Sequence, residues 1–120
     1  MAEKKTVTLE GDFLQLCSYI MGVVAKKTGY VGCEVGKYSN GKKILTIKLG
    51  ILYVEYRFHR AYARHKDDEY LVEIEDNGDH VVLSFDDVDF IVKRRVDVDD
   101  VGDVLIIEIE LNDSDKVGCI

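Results

Sequence analysis

The chain has 120 residues, is 47% hydrophobic and 32% charged, contains no proline and carries a formal charge of −7. That length suits a single domain, 1–120, around one core, and the composition excludes a disordered chain. The longest apolar stretch, Phe13 to Ala25, is interrupted by Gln15, Ser18 and Gly22 and is too short to span a bilayer, and the Met1 to Lys5 start lacks the apolar region of a secretory signal, so no membrane contact and a cytoplasmic location are expected.

Residues 1–6 and 112–120 read as flexible tails. Gly11-Asp12 opens a helix expected over 13–28, with Asp12 as its N-cap, Lys26 and Lys27 in the last turn, and Thr28-Gly29 as the stop. Gln15, Ser18, Gly22 and Lys26 recur at steps of three and four, so the polar stripe is narrow and most of the circumference is apolar. Phe13, Leu16, Ile20 and Val24 supply one buried side. Leu14, Tyr19, Met21, Val23 and Ala25 cover much of the rest, and a sheet can shield only one side of a helix. A homodimer is therefore expected to cover the other.

From Tyr30 onward the period changes to two. Tyr30 to Tyr38 and Lys43 to Leu49 flank Ser39-Asn40-Gly41-Lys42, and Asn-Gly predicts a hairpin because both residues tolerate positive φ. The apolar phase is odd at Leu45, Ile47 and Leu49 and even at Leu52, Val54, Tyr56 and Phe58, which puts a bulge or bend at Gly50. Asp76-Asn77-Gly78-Asp79 predicts a second hairpin, between 70–75 and 80–85. Further strands follow at Val88 to Val92 and Leu105 to Leu111. The expected fold is α+β: one N-terminal helix packed on an antiparallel sheet or partial barrel of about six strands.

Charge is divided unevenly along the chain. Residues 1–66 hold 12 Lys/Arg against 5 Asp/Glu, and residues 67–120 hold 4 against 18. Different surfaces could then meet partners of opposite sign, or neighbouring strands could neutralise one another. The acid-free run 57–66 is the most distinctive local feature. Its Arg57, His59, Arg60, Tyr62, Arg64, His65 and Lys66 combine cations that neutralise phosphate with rings that stack on bases, the recipe for single-stranded nucleic acid or another polyanion. The plainer account is a solvated strand end whose arginines pair with acids of the second half. Lys93-Arg94-Arg95 could extend the patch or guard a sheet edge.

Chemistry-bearing motifs are weak. Asp97, Asp99, Gly102 and Glu108 match four positions of a calcium loop, but Val101 stands where a ligand is required and the flanks alternate like strands, so no metal is expected there. His59 and His65, six apart, fit neither helical nor strand ligand spacing, although with nearby carboxylates they leave a small hydrolase or transferase as a third reading. Cys17, Cys33 and Cys119 are odd in number, lack a CxxC, and read as a helix-core, a strand and a tail thiol. No phosphate-binding glycine loop or nucleophile motif occurs, and no cofactor is expected. The functional expectation is a non-enzymatic binding module that contacts nucleic acid or another polyanion through 57–66. The alternative is an inhibitor-like or immunity-type module whose acidic second half docks on a basic protein partner.

Overall fold

Alternating apolar residues can bury only one face of a sheet, and this chain has enough of them to build two faces around one core. The computed structural model of the chain describes residues 3–51, 53–57, 59–64 and 70–118, Tyr30 and Tyr70 by backbone alone. Strand β1 (Lys5–Leu9) comes first, then a helix over 14–28. Strands β2 (Tyr30–Lys37), β3 (Lys43–Gly50), β4 (Tyr53–Arg57), β5 (Arg60–Arg64) and β6 (Tyr70–Asp76) follow, and after them β7 (Val81–Phe85), β8 (Val88–Val92), β9 (Val96–Val101) and β10 (Val104–Leu111). The α+β class holds. The architecture differs from the expectation: among the described residues ten strands form a six-stranded sheet, β1-β8-β7-β6-β5-β4, and a four-stranded sheet, β2-β3-β10-β9.

The change of phase at Gly50 is the passage from one sheet to the other. β3 ends at Gly50, Ile51 is buried at the corner, and β4 opens the larger sheet. In the smaller sheet Cys33, Ile47, Ile107 and Val98 stand abreast across four strands, with Leu45, Ile109 and Val96 in a neighbouring row. In the larger sheet Ala61, Ile74, Leu83, Phe90 and Val7 make a comparable row. These rows and one side of the helix, including Phe13, Leu16 and Ile20, belong to a single hydrophobic core. Each fully buried Leu, Ile or Phe contributes roughly 1.5–3 kcal/mol through area removed from water.

The helix has a π turn at Ile20–Val24 between α-helical Leu14–Tyr19 and Ala25–Thr28. Asp12 acts at its start, accepting the Leu14 amide at 3.0 Å, and Gly29 ends it in the left-handed region at φ 75°. The expected polar stripe of Gln15, Ser18, Gly22 and Lys26 is exposed. The Tyr19 ring packs edgewise on Phe85 and Phe90, with centroids 5.5 and 5.6 Å away, and its hydroxyl donates to Asp87 while Lys27 bonds Asp86. Burial, and then the Asp87 carboxylate, push the Tyr19 phenol well above its ordinary range.

Both Asn-Gly segments turn, by routes other than the expected one. Gly41 alone takes positive φ, and the Tyr38 amide donates to the Lys42 carbonyl, giving a three-residue loop. In the second hairpin Asn77 pairs with His80, so the turn residues are Gly78-Asp79, with Gly78 at φ 92° in the first central position. The terminal segments, where described, are hydrogen-bonded to the body. Lys5 and Thr6 belong to β1, which runs parallel to β8, and Lys116 donates to Gly11 and accepts from Phe13 at 2.9 Å each. No helix of the described residues is long and apolar enough to cross a membrane.

Candidate functional site

The basic run folds as a hairpin at the edge of the larger sheet. Ala61 and Ala63 are fully buried, so the alternate residues Arg60, Tyr62 and Arg64 lie on the outer face, opposite Arg57, Glu55 and Tyr53 of β4. Arg57 pairs with Glu55 at 3.1 Å, Arg60 pairs with Glu75 at 3.2 Å, and the Arg64 guanidinium lies 4.4 Å from the centre of the Tyr53 ring. Glu73 sits beside Tyr62 in register. Among the described residues three arginines thus share the face with three glutamates, so their charges balance. Exposed pairs of this kind contribute only about 0–1 kcal/mol each, so an anion could still displace them.

His59 is separated from that face. It occupies the β4–β5 turn at φ 63°, its carbonyl accepts the Asp76 amide at 2.9 Å, and it lines a cleft on another part of the surface. His65 and Lys66 lie outside the described residues. The second basic cluster does not extend the arginine face. Lys93 pairs with Glu10 at 3.6 Å, Arg95 with Asp97 at 3.4 Å, and Arg94 clasps Asp115 through two bonds of 2.8 and 3.0 Å.

Sequence reasoning missed the cleft. Its volume is about 360 Å³, with Tyr56, His59, Ile74, Asp76 and Val81 on one wall and residues 95–99 with Glu108 on the other. An adjoining cleft of about 500 Å³ shares Asp76, Val81 and residues 95–97 and reaches Lys93. Asp76, Asp97, Asp99 and Glu108 converge on the first cleft, and Asp97 stands directly opposite Glu108 in the β9–β10 ladder. Burial, and then Glu108 and Asp97, push the nearby Tyr38 phenol upward, a sign of local negative potential. The only sequence signal for this site was the density of aspartates after residue 96.

The calcium-like segment is the β9–β10 hairpin itself, turning at Gly102-Asp103 with Gly102 at φ 64°. Among the described residues no group of three or more His, Cys, Asp or Glu is arranged to hold a metal ion. The described lining of the 360 Å³ cleft includes no Ser, Thr, Cys or Lys, so it presents no side-chain nucleophile of those types beside His59. Elsewhere, His80 bonds Asp79 at 2.7 Å and holds that carboxyl below its usual range. Cys33 departs from the reading of a separate strand thiol, and Cys119 lies outside the described residues. Cys33 is disulfide-bonded, and the buried Cys17 sulfur lies 3.5 Å from the Cys33 sulfur. Burial pushes the Cys17 thiol up, which keeps it protonated at neutral pH. Compared with known protein families, curated proteins and solved structures, the chain matches none.

Proposed function

We propose that the chain is a non-enzymatic interaction module that docks a basic polypeptide against Asp76, Asp97, Asp99 and Glu108. The observation that carries this reading is the direct pairing of Asp97 with Glu108 beside the cleft. Like charges facing one another weaken a sheet; Arg95 pairs with Asp97 and offsets part of that repulsion, and a partner's lysine or arginine beside Glu108 and Asp99 would offset more of it. The net charge of −7 favours encounter with a cation and opposes a polyanion. A second reading, nucleic-acid binding, draws support from Arg60, Tyr62 and Arg64 lying on one open face with Tyr53 and Arg57.

Titrating a labelled lysine-rich peptide and a labelled single-stranded RNA separates the two. The first reading expects the peptide to bind, and the double change Asp97→Asn/Asp99→Asn to weaken it about tenfold, since each exposed charge contact contributes roughly 0.5–1 kcal/mol. RNA binding that falls with salt and disappears in Arg60→Ala/Arg64→Ala, with no peptide binding, would reverse the assignment.

For the assembled state we propose a homodimer through the outer side of the helix, where Leu14, Met21 and Val23 remain 39, 46 and 42% exposed. Light scattering is expected to give twice the 13.6 kDa chain mass and to fall to one chain in Met21→Glu. A single-chain mass for the unaltered protein at tens of micromolar contradicts it.

A further inference from the structure

The wall of the cleft contributed by β9 has an unusual make-up. Successive residues of a strand point to opposite faces of its sheet, so a cleft seated on one face would touch every second residue. The five consecutive residues 95–99 all line the first cleft, and Lys93, Arg94, Arg95, Val96 and Asp97 line the adjoining one. A groove bordered by the unbroken run 96–99 of β9, continued by the bend at 93–95 that precedes the strand, follows the main-chain edge there and not a face. β9 is a terminal strand of its sheet in the described topology, with β10 on its other side. Its outer row of amides and carbonyls therefore borders the groove, and the opposite wall is formed by Tyr56 of β4, a strand that approaches β9, together with the β4–β5 turn and the facing ends of β6 and β7.

We propose that this groove binds an extended, basic polypeptide segment by strand addition, the incoming main chain pairing with the β9 edge and its alternate lysines or arginines meeting the acidic residues beside it. The inference rests on the reading of the acidic residues as a docking wall and adds the mode of binding and the conformation of the partner. Charge decides the occupant. Asp97, Asp99 and Asp100 along the edge repel a second copy of the same strand, the usual means of protecting an exposed edge, and they attract a strand of opposite sign. The one cation on this stretch that enters the first cleft, Arg95, is paired with Asp97. The strand residues that line the cleft, 96–99, span about 13 Å, so the central four or five residues of a bound peptide would pair with the edge.

The probe is a labelled, acetylated and amidated seven-residue peptide alternating lysine with valine or threonine, measured by fluorescence anisotropy against the full chain. Two analogues carry backbone N-methyl groups, one on the odd residues and one on the even, which removes donors from one edge at a time while keeping the charge. Strand addition expects one analogue to bind at least tenfold more weakly than the parent and the other to bind nearly as well, with the outward-facing amides of Val96, Val98 and Asp100 gaining hydrogen-exchange protection on addition of the parent. If parent and both analogues bind alike, and Asp97→Asn/Asp99→Asn weakens all three, strand pairing is overturned while acidic docking stands. If no peptide binds, both fail.

Discussion

Replacing Phe13 by alanine is expected to destabilise the fold by about 3–5 kcal/mol, the largest effect of any single truncation proposed for this chain. Phe13 is 0% exposed and stands at the head of the buried side chains by size. It is also placed where three parts of the molecule meet: its amide donates to the Lys116 carbonyl, its carbonyl accepts the Cys17 amide in the first turn of the helix, and its ring belongs to the core shared by both sheets. Truncation leaves a cavity that these neighbours cannot all collapse into, because each is held by its own hydrogen bonds. A domain of this size is stable by roughly 5–15 kcal/mol, so the variant should lose a large share of its stability. Denaturant unfolding followed by circular dichroism measures the shift. Val35→Ala is the control, since Val35 is 48% exposed and its loss should cost well under about 1 kcal/mol. A Phe13→Ala loss no larger than the control would mean that the core is not organised around this junction.

Asp115→Ala is expected to cost about 3 kcal/mol, for an electrostatic reason. The Asp115 side chain is 0% exposed and that of Arg94 18%; the carboxylate takes both Arg94 bonds and the Asn112 amide at 2.7 Å. Arg94 also donates to the Glu10 carbonyl, so one guanidinium ties the segment after β10 to the segment before the helix. Removing the acid leaves a mostly buried cation without its counter-charge, and the penalty for that exceeds the net worth of the pair. The distinguishing result is a double-mutant cycle. Arg94→Met/Asp115→Leu is expected to lose less stability than Asp115→Ala alone, because no unpaired charge remains. If the double change costs the sum of two large single effects, the residues act through separate packing contacts and the clamp is not an ion pair in energetic terms.

Neither junction could be read from sequence, and the reason is the same for both. Local patterns identified the helix to within one residue at its start, the strands at 88–92 and 105–111, and both hairpins, because periodicity and Asn-Gly dipeptides act over a few neighbours. The partition into two sheets depends on pairings distant in sequence, such as Lys5 with Val88 and Val104 with Gly50. Lys5 and Thr6 looked like tail because a parallel edge strand has no turn to announce it. Strand β5 was hidden by its small inward residues: Ala61 and Ala63 give little apolar signal, so the arginines between them looked like a charge run and not one face of a strand. The turn of the second hairpin moved one residue because Gly78 takes the first central position of a two-residue loop, leaving Asn77 to pair. Of the candidate binding residues, Arg57, Arg60, Tyr62 and Arg64 lie on neighbouring strands β4 and β5. Their glutamate partners arrive from β4 and β6, and His59 is carried away by the turn. The acidic cleft needs β9, β10 and the β6–β7 hairpin together, and composition alone records only that aspartates are abundant.

The central claim is that the β9 edge and its acidic surroundings, not the arginine face, form the binding surface. Amide chemical-shift mapping of the isotopically labelled chain, with the alternating lysine peptide added stepwise, tests it most directly. The account expects saturable shifts confined to 93–100, 76–81 and Glu108, with the amides of Arg60, Tyr62 and Arg64 unmoved. Shifts centred on 60–64, or none anywhere at millimolar peptide, would contradict it.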